Sequence, residues 1–433
     1  MSSKTKTTGA KEDGESDLVP KLRFPEFREA GRWKSIPLNR LAFRAKQKNR
    51  DEKIVRVLTN SAEFGVVDQR DFFDKDIATQ GKLEGYLVVA LGSYVYNPRI
   101  SSTAPVGPIS KNKIGTGVMS PLYTVFKFKD DRNDFYEHFF KTAGWHTYMR
   151  QASSTGARHD RMAISSEDFM AMPLPTSSPD EQQKIADCLN SLDELIAAQG
   201  RKVSALKTHK KGLMQQLFPR EGETQPRLRF PEFQNVGEWV EKRLEDLAKR
   251  GSGHTPSKSY PEYYNGGIKW VSLADSKRLD CGLISNTAIE ISEKGIQNSS
   301  AVLHPEGTVL ISRDAGVGKS AVMGIPMAVS QHFIAWTCKS SLLSNWFLYH
   351  FLQNSKPIFE RAATGSTIKT IGLQFFIDLL FRLPLLPEQQ RIADCLTALD
   401  DLITAQTQKL EALKNHKKGL MQQLFPAPVE VVA

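Results

Sequence analysis

The side chains able to do chemistry gather in loops, and they are cations, amides and hydroxyls rather than catalytic sets. Arg99, Lys111 and Lys113 flank a Gly- and Pro-rich loop, with Asn97 just ahead of it. Thr155, Arg158 and Arg161 form a second group. Later in the chain Ser257, Lys258, Arg313, Lys319 and Gln331 repeat the pattern, and Ser366, Thr367 and Lys369 close it. Arg and Lys donate to guanine edges and phosphates, and Asn and Gln pair with adenine edges, so such loops can read a DNA major groove. An ordinary solvated loop carries the same residue types, and Asn97 and Thr155 equally suit turns. No Ser/His/Asp set, zinc cluster or carboxylate pair stands out among the scattered histidines, of which His209 and His416 fall at matched places.

Three motifs imitate enzyme loops and fail in detail. Gly316-Val317-Gly318-Lys319-Ser320 resembles the end of a phosphate-binding loop, but Arg313 stands where its first glycine belongs. Tyr96-Asn97-Pro98-Arg99 lacks the second proline and the aromatic residue of an amino-methyltransferase motif, so it would stack no flipped base. Gly251-Ser252-Gly253 follows Lys249-Arg250, which does not read as a strand. The chain therefore reads as non-catalytic, with no cofactor or metal of its own.

The elements that position these loops are duplicated. Residues 181–219 and 388–426 align without a gap, and 29 of the 39 positions are identical. Residues 20–27 (PKLRFPEF) reappear as 226–233 (PRLRFPEF), with Trp33 answered by Trp239. The inserts between these repeats, residues 43–171 and 249–382, show almost no mutual resemblance.

Residues 181–217 and 388–424 each read as one long helix, with a proline at 219 and 426 as the stop. Acidic residues gather early, and Lys207, Lys210 and Lys211 late, as the helix dipole favours. The apolar seam follows a heptad: Leu189, Leu192, Ile196, Gln199, Val203, Leu206, Lys210, Leu213 and Leu217. Its second copy is Leu396, Leu399, Ile403, Gln406, Leu410, Leu413, Lys417, Leu420 and Leu424. A two-stranded coiled coil buries both stripes. An antiparallel pair would relate the copies by a pseudo-twofold axis, with Gln199 and Gln406, the helix midpoints, meeting as a matched polar pair. A helix of this length spans roughly 55 Å.

Both inserts read as mixed α/β domains. Strands are expected at 86–91, 94–96 and 123–128 and at 269–273, 308–312 and 333–336, with helices at 135–150 and 345–354.

In this order the motifs resemble the specificity subunit of type I restriction-modification systems. The matching residues are Tyr94-Val95-Tyr96-Asn97-Pro98-Arg99 and Val118-Met119-Ser120-Pro121-Leu122-Tyr123 in the first insert. In the second they are Gly253-His254-Thr255-Pro256-Ser257, Gly267-Ile268-Lys269-Trp270-Val271 and residues 311–319. Each insert closes on Thr-Gly, then Pro-Leu, then Glu-Gln-Gln, although the first ends Thr155-Gly156-Ala157-Arg158 without the Gly-Ser-Thr of the second. The resemblance covers residues 20–426. It implies two target recognition domains separated by two antiparallel coiled-coil spacer helices. It implies recognition of a bipartite, asymmetric double-stranded DNA site, one half-site per domain, about 34–36 Å apart on one face of the duplex. It also implies two modification subunits that bind S-adenosylmethionine, and restriction subunits that use ATP and Mg. The coil flanks and the Phe218 and Phe425 ends are then the candidate docking surfaces.

On this reading residues 1–19 are a disordered tail, 20–175 the first recognition domain, 176–219 a spacer helix, 220–383 the second domain, 384–426 a spacer helix and 427–433 a tail. The net charge of +10 suits a polyanionic partner or a merely basic protein. No apolar run approaches a membrane span, and the four cysteines lack metal-ligand spacing, which suits buried thiols in the cytoplasm. Two rivals make different predictions. A DNA methyltransferase or nucleotide-dependent enzyme in its own right would bind cofactor alone. A non-reading scaffold would keep its DNA selection when the inserts are exchanged.

Overall fold

The computed structural model describes residues 18–72, 83–155, 160–220, 222–366 and 368–426. Contacts divide the chain into unit 1, Met1–Ala197 with Glu411–Ala433, and unit 2, Ala198–Leu410. Each long helix therefore gives its first half to one unit and its second half to the other.

The helices run Pro179–Leu217 and Leu386–Leu424, two residues longer at the start than the sequence suggests. A proline in the first turn loses no intrahelical bond, so Pro179 and Pro387 are tolerated there. No seam residue of either copy is exposed. The helices run antiparallel in unit 2, where Gln199 Nε2 donates to Oε1 and to the backbone oxygen of Gln406, both at 2.9 Å. Gln199 thus meets its own repeat mate, as the sequence leads one to expect. Lys210 is not the helix-end charge expected of it: its ammonium lies 2.5 Å from Asp400, mostly buried. Burial lifts the Asp400 carboxyl above its usual value despite this partner. Unit 1 holds the matched pair, Lys417 to Asp193 at 2.5 Å.

The short repeated segment anchors each helix start. In unit 1 Arg23 donates to both carboxylate oxygens of Glu181 at 2.7 Å, and the Trp33 indole N–H donates to the same carboxylate at 3.1 Å. In unit 2 Arg229 does the same for Glu388 at 2.8 and 2.7 Å, with Trp239 at 3.3 Å. Both carboxylates are buried and satisfied, the condition under which such a charge is tolerated. Beside each anchor two short strands pair antiparallel, Lys34–Pro37 with Pro173–Thr176 and Val240–Arg243 with Leu380–Leu383.

The inserts, unlike in sequence, share a sheet of matching strand order. In unit 1 the order is Ala42–Arg44, Thr124–Phe128, Tyr94–Tyr96, Ile109–Lys111. In unit 2 it is Ala248–Ser252, Phe333–Cys338, Val309–Ser312, Ser320–Met323, with Leu283–Ile284 added at the edge. The register agrees. Ala42 faces Phe128 and Tyr94 faces Phe126, as Ala248 faces Cys338 and Val309 faces Trp336. A helix then follows each sheet, Asp134–Phe139 or Asn345–Asn354. The expected helix over 135–150 is broken, because Thr142 Oγ1 donates to Phe139 O and accepts from Gly144 N, and a second helix starts only at His146.

Each of these helices sends a fully buried histidine to the long helix. His138 Nε2 is 2.9 Å from Asn190 Oδ1, and His350 Nε2 is 3.1 Å from Thr397 Oγ1. Asn190 and Thr397 are repeat mates. Burial pushes the histidines down to about 4 and about 3. Phe218 and Phe425 are not surface features but core residues: Phe218 packs on Trp239 and Phe347, and Phe425 on Phe135 and Phe139. Of the cysteines Cys281 is exposed and the others are half-buried.

Candidate nucleic-acid interface

In unit 2 four loops meet where the Val309–Ser312 strand ends. Arg313 N donates to His332 O at 3.0 Å, and Ile371 N donates to Arg313 O at 2.8 Å. Thr364 and Thr370 exchange backbone hydrogen bonds at 3.0 and 2.8 Å, and His254 N reaches Val329 O at 3.1 Å. That last approach needs glycine next door, since a Cβ on Gly253 would lie 1.7 Å from Val329 O. Ala315 turns the loop at φ 44°, a region that non-glycine residues seldom enter.

This surface gathers most of the unit 2 candidates. Ser257, Lys258, Gln331, Ser366 and Lys369 are exposed. Arg313 is half-buried, and its Nε is enclosed without a partner among the described residues. Gln331 Oε1 accepts from Thr255 Oγ1 at 2.6 Å. Lys319 differs, because its ammonium is tied to the backbone oxygen and Oγ of Ser276 at 3.0 and 2.9 Å. It lines a hollow of about 620 Å³ with Lys356 and Lys369. The Gly316–Lys319 segment joins two antiparallel strands, not the strand and helix of a phosphate-binding loop. Thr367 lies outside the described residues.

The sequence reading missed Asp314 and His332. The Asp314 carboxylate oxygens are 2.8 and 2.9 Å from His332 Nδ1. Eighteen residues separate them (332 − 314), and only strand pairing brings them together.

In unit 1 the corresponding loops hold Arg99 and Arg161, which are bridge partners. Met162 N donates to Pro98 O at 2.9 Å, the counterpart of Ile371 to Arg313. By register Arg99 therefore stands where unit 2 has Asp314, and Arg161 where it has Thr370. The Arg99 side chain is 69% exposed, with Asp160 at 3.7 Å. Asn97 is a turn-former: its Nδ2 donates to Asn60 O and its Oδ1 accepts from Arg99 N, both at 3.0 Å. Lys111 is committed inward, to Asp134 at 2.6 Å, and Lys113, itself exposed, is paired with Glu137 at 2.7 Å. Burial raises the Asp134 carboxyl, but Lys111, Asn190 and Lys113 more than reverse that, so it sits below its usual value. The Thr155 side chain and Arg158 lie outside the described residues. Among the described residues no group of three or more His, Cys, Asp or Glu is placed to hold a metal ion, and no helix is long and apolar enough to cross a membrane.

Known proteins share this arrangement. A family model, the type I restriction modification DNA specificity domain, matches residues 236–415. The putative type I restriction enzyme MjaX specificity subunit of Methanocaldococcus jannaschii is 23% identical over 399 residues, 92% of this chain and 84% of that protein. The chain is thus similar to type I restriction-modification specificity subunits, through the family model over residues 236–415 and through the MjaX subunit over most of its length.

Two further relatives are matched over less of their length. The MjaIX specificity subunit of the same organism is 27% identical over 189 residues, 43% of this chain and 44% of its own length. The EcoR124I/EcoR124II specificity subunit of Escherichia coli is 27% identical over 267 residues, 58% of this chain and 61% of its own length. The fold agrees with the crystal structure of the S subunit from M. genitalium at a TM-score of 0.58 and 14% identity, covering 95% of this chain and 100% of that one. A chain from a study of complex assembly and conformational transition in the type I R-M system gives 0.55 at 16% identity, covering 92% and 98%.

Proposed function

We propose that this chain is a specificity subunit and recognises a bipartite, asymmetric DNA site, with one half-site read by the loops of each unit. The observation that carries this is the matched register of the inserts. Matching isolated bridges beyond the sheet strands hold Arg99 and Arg161 in unit 1 and Asp314 and Thr370 in unit 2. A shared scaffold with unlike side chains is what reading two different half-sites requires. The two long helices set the number of base pairs between the half-sites. The loops of unit 2 approach the major groove with Arg313, Gln331, Lys258, Ser257, Ser366 and Lys369, and those of unit 1 with Arg99 and Arg161.

The chemistry belongs to partners. Two modification subunits carry S-adenosylmethionine and methylate adenine N6, and restriction subunits use ATP and Mg to translocate and cut. The complex works in the cytoplasm. The test is genome-wide adenine methylation in a host expressing this chain with a cognate modification subunit, against the same host without the chain. A split, non-palindromic motif that vanishes with the chain is the expected result. An active modification subunit with no chain-dependent motif would sink the reading.

A further inference from the structure

Two side chains at the tip of one turn in unit 2 have their inner polar ends tied down, which leaves their outer ends with a set hydrogen-bonding polarity. Gln331 Oε1 accepts from Thr255 Oγ1 at 2.6 Å, so the Gln331 amide presents its Nε2 donors outward. An ionised carboxylate only accepts, so the contacts of 2.8 and 2.9 Å between Asp314 and His332 Nδ1 place the ring proton on Nδ1. In its neutral form the ring offers Nε2 as an acceptor. The His332 side chain is 31% exposed and that of Asp314 17%, so the ring is the more accessible of the two. A donor and an acceptor thus stand on consecutive residues. In the major groove adenine presents the complementary pair, the N6 amine as donor and N7 as acceptor.

We propose that Gln331 and His332 read an adenine in the half-site bound by unit 2, and that Asp314 is the positioning residue that sets the polarity of His332. This rests on the function proposed above. Among the described residues of unit 1 the matching position differs: counting back along the matched strands puts Leu122, 59% exposed, where unit 2 has His332. The half-site of unit 1 is therefore an internal control.

The experiment is the methylation motif written by the full chain with its modification subunit, for the wild type and for Gln331→Ala, His332→Ala and Asp314→Asn. Gln331→Ala and His332→Ala are expected to relax one adenine position of one half-site, from a preference of about tenfold or more to below about threefold. The other half-site and the gap stay as they were. Asp314→Asn has a sharper outcome. An amide can donate to Nδ1, which moves the ring proton to Nε2 and turns the outer atom into a donor. The same position then shifts from adenine toward guanine, whose O6 and N7 both accept. Thermal melting of each variant separates a specificity change from unfolding. If Asp314→Asn lowers Tm, the exposed Gln331→Ala carries the test. A wild-type split motif that survives all three variants unchanged, or changes in both half-sites, overturns this inference and leaves the general function standing. A wild type that writes no motif overturns the function itself.

Discussion

Glu181 and Glu388 begin their helices as buried carboxylates, each held by a two-pronged arginine and an indole N–H. Removing one partner leaves a charge stranded in the core, which is far worse than never having buried it. Arg23→Ala is expected to destabilise unit 1 by about 3 kcal/mol or more, read by denaturant unfolding. The double variant with Glu181→Gln should lose less than the sum of the two single losses, because the stranded charge is gone. Additive losses would mean that the pair is not coupled. Arg23, Trp33 and Glu181 each have a repeat mate 206 or 207 positions on, so their joint importance was legible in the sequence. Their mutual contact was not, since 158 residues separate Arg23 from Glu181. Among the loop candidates the sequence could not separate Lys111 and Lys319, bound inward, from Arg313 and Lys258. All are cations in polar stretches, and what differs is the acceptor that the fold brings to them.

The elements show how one scaffold accepts two unrelated inserts. His138 and His350 occupy matching places and meet repeat-mate positions on the long helices. Both rings are buried neutral, with Nδ1 lacking a partner among the described residues. Burial depresses their folded-state pKa below the unfolded value near 6.5. For such a group stability is whole above pH 6.5 and is lost as pH falls toward the folded value, because the unfolded chain takes up the proton first. With His138 at about 4 in the fold, going from pH 7 to pH 5 should cost unit 1 about 2 kcal/mol from this residue. His138→Gln is expected to lower stability at pH 7 but to remove that part of the pH dependence. Denaturant unfolding at both pH values checks it, and an unchanged slope against pH would exclude the histidine as its source. The heptad was legible because burial of a helical stripe imposes its period on the sequence. The common sheet of the inserts was not, because a strand needs only alternation and tolerates many side chains.

At the scale of the whole molecule, both helices are continuous and their seam stays covered along its length. Lengthening them by whole heptads keeps every seam residue facing its partner. Seven residues duplicated after Gln199 and again after Gln406 add about 10 Å of helix, or roughly three base pairs of spacer. The methylation motif should then keep both half-sites and widen its gap by about that amount. An altered half-site with the old gap would contradict the role given to the helices. Duplicating four residues in one helix breaks the heptad, and that variant should lose the split motif.

The amino-acid sequence by itself determined the duplication, the two long helices, their antiparallel pairing through Gln199 and Gln406, and the α/β character of the inserts. These are periodic or repeated features, and helix burial and register act over neighbouring turns of one chain. Only the tertiary structure decided that Lys210 is a buried ion-pair member, that Phe218 and Phe425 are core residues, and that Asp314 orients His332. It also decided that Arg99 and Asp314 hold matching positions. The physical reason is the same in each case. A polar or aromatic side chain takes its role from the partner that burial brings within 3 to 4 Å, and strand pairing brings partners from far along the chain.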